Sequence, residues 1–482
     1  SNLTVKTTKA SAGANIAIDN TKGSTLTVDA VIPSTGQDAS MWVRNDNGVT
    51  VSAWTIDGND NVALLATAGN VTFPDGGAGV IDTSGNLVTP DISVGTGKVR
   101  LEAAAGTVQD SASRALVIAA SDLVIKSNTL NNETTGSAVG NFAATPVELA
   151  VLLSGKLDVD INSDAQNLRI LGANSGGLSE DLKIGDVDSD TYSMTTNGTA
   201  SSGELTVTVL NGTSATTDDT DDSNSPTLAI YNTLNTDNAN INLNVLGLNV
   251  TAGDNSQADG SIQILSGATV QTDATNDQLG TTTLTGDVKI IGQVFANSGE
   301  TILITGPSDN ITIDPTGVAG SGILTLSPGT GKNVDFQPGA NVSVVSGGGN
   351  SGSLVIKNAA NVVMDPTATV VVDGSVDIGH GGAGGVADSV TGNIILTNIT
   401  LDSNGDGDGA GAPAKLLVKS ILGNITLSGT IDANADPDDT DQANDVAIIA
   451  SAGSILNNSG SAIAIDEVNS LTLEAKGSIG SS

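Results

Sequence analysis

The segment Gly423 to Ile455, GNITLSGTIDANADPDDTDQANDVAIIASAGSI, holds an alternating apolar strand, an acidic loop, a second apolar strand and a Gly turn that restarts the pattern. The segment before it, Gly392 to Leu422, keeps the same order. Gly392, Gly423 and Gly453 head copies about thirty residues apart, and Gly477 opens another. Far upstream, VALLATAGNV (Val62 to Val71) matches VAIIASAGSI (Val446 to Ile455) nearly position for position; VRLEAAAGTV from Val99 and LTLEAKGSI from Leu471 are looser copies. A short repeat of strands without helices cannot bury its apolar face alone, so neighbouring copies must stack as a solenoid.

That architecture frees a 482-residue chain from the size limit of a single globular core. Abundant Gly, Asn, Asp and Ser suit tight turns, and Val, Ile and Leu suit strands. The 53 acidic residues against 17 basic ones give a net charge of −36. Such a field repels nucleic acid and anionic membranes, so no nucleic-acid partner is expected. No apolar run approaches the roughly 18 residues that span a bilayer, so no membrane insertion is expected either. Without cysteine there is neither a disulfide framework nor a thiolate metal site. Ser1 opens directly onto the strand Leu3 to Val5 with no signal peptide, which reads as a mature chain or a fragment.

Three regions follow in order: rungs over 1–141, a looser region over 142–226 with a short helix and room for a side module, and rungs with acidic loops over 227–482. The helix is expected near 145–154. Thr145 stands as its cap, Pro146 at its first position and Glu148 three after the cap, with Leu149, Leu152 and Leu153 on one face. The acidic loop at Asp218, Asp219, Asp221 and Asp222 should project. Trp42 and Trp54, the two tryptophans, are expected to pack under a loop or over the first rungs.

The blocks VALLATAGNV and VAIIASAGSI, the unit GTIDANADPDDTDQAND, the final LTLEAKGSIGSS and TPVELAVLLSGKLDVDI resemble the repeat region of filamentous-haemagglutinin-like bacterial exoproteins. The likeness covers about a third of the chain. It implies an all-β fold, a right-handed parallel β-helix, with secretion from a Gram-negative-type bacterium and a role in adhesion or surface architecture. About 16 to 20 rungs at ~4.8 Å each would make a rod of roughly 80 to 100 Å.

Asp402, Asn404, Asp406 and Asp408 place side-chain oxygens at every second position around Gly405 and Gly407, as a calcium loop requires. Pro413 stands where an EF-hand needs Glu, which excludes that motif. The next rung offers Asp432, Asn434 and Asp436 at equivalent places, so stacking would form one ladder. Calcium is one reading of that ladder; solvated turns are the other. Asp57, Asn59 and Asp60 form a poorer version, as do Asp186, Asp188 and Asp190. His380, the sole histidine, reads as an exposed loop residue, since one imidazole makes neither a zinc site nor a triad.

Parallel β-helices also carry polysaccharide lyases, whose sites need clustered carboxylates with Arg or Lys and aromatic rings. Here the four Arg (Arg44, Arg100, Arg114, Arg169) lie at or before position 169 and aromatics make up 2% of the chain. The chain is therefore expected to be non-enzymatic. Neither end shows a capping helix, so either the chain is cut from a longer rod or copies stack head to tail into a filament. The expected function is an extracellular structural shaft at the bacterial surface that assembles with itself. The alternative is an adhesin that binds a glycan or receptor of a host or neighbouring cell through projecting loops.

Overall fold

A computed structural model of the chain describes residues 2–6, 15–21, 23–32, 40–56, 60–73, 80–81, 86–110, 115–130, 147–162, 167–175, 180–189, 194–196, 204–210, 226–236, 240–246, 261–265, 268–271, 281–285, 287–290, 293–306, 311–313, 318–328, 333–336, 338, 340–344, 353–372, 374–380, 389–401, 415–433, 444–458, 465–466 and 468–481. Among them every regular element is a strand. The chain divides into two compact units, Ser1–Ala239 with Leu243–Gly260 and Asn240–Asn242 with Ser261–Ser482.

In the first unit the strands Asn15–Asn20, Ser40–Asn45, Asn61–Ala66, Val99–Asp110, Leu123–Leu130 and Lys156–Ile161 pair in parallel, in that order. A second ladder runs through Asn2–Lys6, Leu26–Ile32, Val49–Ile56, Val71–Phe73 and the end of Val99–Asp110. A third joins Ile92–Ser93, Leu116–Ala120, Leu149–Leu153, Asn167–Gly172 and Glu204–Leu210. Within these ladders a strand pairs with one further along rather than with its successor; Val80–Ile81 and Leu87–Thr89 are the exception, an antiparallel pair of consecutive strands.

The second unit repeats the scheme. One ladder carries Asn333–Phe336, Asn361–Met364, Ile394–Leu396, Ile425–Leu427, Ile455–Asn457 and Ile479–Ser481. Another carries Asn341–Val344, Thr369–Val372, Asn398–Leu401, Ile431–Asp432 and Ile465–Asp466. The third carries Ser353–Ile356, Val376–Ile378, Lys415–Ser420, Asn444–Ala450 and Val468–Ala475.

The period-two pattern explains these strands. Ile394, Leu396, Ile425, Leu427 and Ile455 are buried, while the alternate residues Ile395, Thr426 and Leu456 face the other side in register. Each fully buried aliphatic side chain contributes about 1.5–3 kcal/mol. The glycines that head the repeats form a column. A methyl group on Gly423 would lie 2.2 Å from Gly392, and one on Gly453 would lie 2.0 Å from Gly423. Beside them, Asn361, Asn393 and Asn424 each accept a hydrogen bond from the backbone N–H one layer on, at 2.8 to 2.9 Å. These Asn side chains thus satisfy main-chain donors at the strand starts.

The helix expected near 145–154 is not formed. Leu149–Leu153 is a strand, paired with Leu116–Ala120 and Asn167–Gly172. Its outer face is buried as well, because Val117, Ala150 and Leu171 form an apolar cluster against which Leu87 packs. A strand covered on both faces reads as a continuous apolar run, which periodicity cannot tell from a helix. Glu148 is engaged with Arg169 instead of a helix start: the Arg169 N–H donates to it at 2.7 Å. Thr145 and Pro146 lie outside the described residues.

Candidate functional site: a charged groove on the first unit

Along Asn61–Ala66, Val99–Asp110 and Leu123–Leu130 the residues Val62, Leu64, Val99, Leu101, Leu123 and Ile125 are buried. Their alternates share the opposite face. Register sets Trp42 beside Ala63, Ala63 beside Arg100, Arg100 beside Val124 and Val124 beside Asp158. One row over, Glu102, Lys126 and Asp160 are neighbours.

The stretch 185–189, which follows Leu182–Ile184, folds back across this face. The Val187 N–H donates to Asp158 Oδ2 at 2.9 Å, and Asp188 Oδ2 meets Lys126 Nζ at 2.8 Å and Arg100 Nη1 at 2.9 Å. Ser189, at φ 70°, closes the turn by donating its N–H to Asp186 Oδ1 at 2.6 Å. Asp158 is fully buried under this stretch, and Val124 and Asp160 on the same face are buried as well. Arg100 is also held by Glu102.

Between that stretch and Trp42 lies an open groove of about 510 Å³, lined by Trp42, Lys98, Arg100, Asp122 and Asp188 among others. Lys98 Nζ and Asp122 Oδ2 stand 2.8 Å apart. In each pair the cation is the more exposed partner: Lys98 is 62% exposed against 18% for Asp122, and Arg100 is 37% exposed against 10% for Asp188. Burial alone would raise the Asp122 carboxyl, but hydrogen bonds from Lys98 and from the Lys156 N–H, with both lysine charges, hold it below the usual carboxylate range. Burial likewise opposes the Arg100 charge, and Glu102 and Asp188 outweigh it and raise the guanidinium above its usual value. The Asp122 carboxyl and the Arg100 guanidinium are therefore both favoured in their charged forms. A general acid would need the reverse, a carboxyl pushed upward.

Asp158, Asp186 and Asp188 bring ligand atoms within 4.8 Å of one another. Carboxylates so placed can hold a hard cation. Here Lys126 and Arg100 already neutralise part of the cluster, and Asp188 Oδ1 has no hydrogen-bond partner. Of the sequence-derived calcium ligands, Asp402, Asn404, Asp406, Asp408, Asn434 and Asp436 lie outside the described residues. Asp432 belongs to the strand Ile431–Asp432, in register with Thr400 and Asp466. Asp57, Asn59 and Asp190 are outside the described residues, as is the loop at Asp218 to Asp222, and Asp60 is fully buried. Asp186 and Asp188 do come together, with Asp158 as their third member. His380 is half-buried rather than exposed, and its backbone N–H donates to Asp377 Oδ1 at 2.9 Å.

Sequence reasoning missed Lys98, Arg100, Asp122, Lys126, Asp158 and Asp160 as a group. A signal was present: VRLEAAAGTV puts Arg100 and Glu102 at the outward positions where VALLATAGNV has Ala63 and Leu65. No family model, no curated protein and no solved structure matches the chain.

Proposed function

We propose that the chain is a right-handed parallel β-helix serving as the non-enzymatic shaft of a filamentous-haemagglutinin-like surface protein, exported from a bacterium. The observation that carries this reading is the pairing order: in the second unit the chain visits three parallel ladders in turn, and in the first it alternates between two ladders up to Phe73 and is joined by a third from Ile92 onward. A shaft needs such a fold, because each layer is held by its neighbours and length can grow without a larger core.

Self-association through terminal layers is part of the proposal. Leu471 and Ile479 are 45% and 52% exposed, whereas their in-register predecessors Val446 and Ile455 are buried. A further layer, from a second copy or from continuing chain, would cover them. Sedimentation over a concentration series tests stacking: growth into long filaments is expected, and a monomer at every concentration contradicts it. Calcium at the ladder of Asp402 to Asp408 and Asp432 to Asp436 is proposed with it. Titration calorimetry with calcium at millimolar concentration should show uptake; no heat would end that reading.

The second reading, an adhesin that binds a ligand, is favoured by the groove. Its charges are fixed in place by ion pairs before any ligand arrives, and preorganisation of this kind lowers the cost of binding.

A further inference from the structure

We propose that the groove beside Trp42 binds an uncharged oligosaccharide, laid across the strands. The inference rests on the groove being a binding site and is independent of whether copies stack.

Three features select that chemistry. First, Trp42 is half-buried, and its in-register neighbours Ala17 and Ala63 each carry a single methyl group, too short to cover an indole. The negative face of an indole attracts the C–H face of a sugar ring. Secondly, the charged lining consists of two cations, Lys98 and Arg100, and two carboxylates, Asp122 and Asp188, which cancel. A sugar hydroxyl both donates and accepts, so one hydroxyl can bridge the two members of an ion pair without leaving either charge uncompensated. An anionic ligand would add to the net charge of −36, and a cationic one would have to compete with Lys98 and Arg100 for their carboxylates. Thirdly, the floor from Trp42 through Ala63 and Arg100 to Val124 crosses adjacent strands, about 14 Å at ~4.8 Å per strand. That length suits an extended chain of sugars rather than a single ring.

The test is titration calorimetry of the full chain with uncharged gluco-, manno-, galacto- and N-acetylglucosamine oligosaccharides, with uronate oligosaccharides as anionic counterparts. Binding of at least one uncharged member is expected. Trp42→Ala should weaken it about tenfold or more and Lys98→Ala severalfold, the usual behaviour of an aromatic anchor and a supporting polar contact. Trp54→Phe leaves Trp42 as the sole tryptophan, and its fluorescence should shift on saturation. No uncharged member bound at millimolar concentration, preference for the uronate series, or affinity unchanged in both variants would each overturn the proposal. If Trp42→Ala does not fold, the exposed Lys98 and the Trp54→Phe fluorescence still decide. Loss of the shaft reading would show separately, as an absence of rods in the same preparation.

Discussion

At Gly423 an added methyl group would stand 2.2 Å from the backbone of Gly392, whereas at Gly23 it would meet nothing within 4 Å. Backbone cannot yield as a flexible side chain can, so Gly423→Ala should cost about 1–3 kcal/mol and Gly23→Ala about 0.5 kcal/mol or less. Hydrogen–deuterium exchange should localise the effect to Ile394–Leu396, Ile425–Leu427 and Ile455–Asn457. Unchanged exchange there would contradict the stacked column. Two carboxyls give opposite pH trends. The Asp122 carboxyl is held low in the fold, so its contribution is present above the usual carboxylate range and is lost as pH falls through its depressed value. Asp122→Asn should therefore lower the melting temperature at neutral pH, with the difference closing in acid. Burial raises the Asp335 carboxyl, a penalty that appears as pH rises past its unfolded value. Asp335→Asn should raise the melting temperature at neutral pH and leave it unchanged in acid.

At the scale of elements, the alternation in VAIIASAGSI was enough to place Asn444–Ala450, and the matching block upstream to place Asn61–Ala66. Those strands bury one face, so a period of two is visible. Leu149–Leu153 buries both, and its apolar run behind Pro146 imitated a helix. The groove was hidden for a different reason. Arg100 and Asp188 lie 88 residues apart and meet only because 185–189 folds back over the strands. No local pattern encodes that contact. The register itself can be checked by cross-linking, since the chain has no cysteine of its own. Ile395 and Thr426 are in register on adjacent strands, about 4.8 Å apart. Ile395→Cys with Thr426→Cys should oxidise to a disulfide, whose Cα spacing is usually ~4.4–6.8 Å. Ile395→Cys with Leu456→Cys, two layers apart at about 10 Å, should not. The reverse result would mean a different register.

At the scale of the whole molecule, the proposed β-helix would extend what the second unit displays, aliphatic rows with a glycine column and an Asn column that repeat with the layer, so that stability accumulates by neighbour contacts and needs no deep globular centre. The net charge of −36 keeps such surfaces apart in solution at long range, and it leaves contact to sites where charge is locally balanced, as beside Trp42. Electron microscopy of the purified chain, negatively stained with calcium and again after chelation, tests the β-helical shaft most directly. Rods of uniform width are expected, each chain adding roughly 80 to 100 Å of length for about 16 to 20 layers. Compact, rounded particles in both conditions would contradict the account.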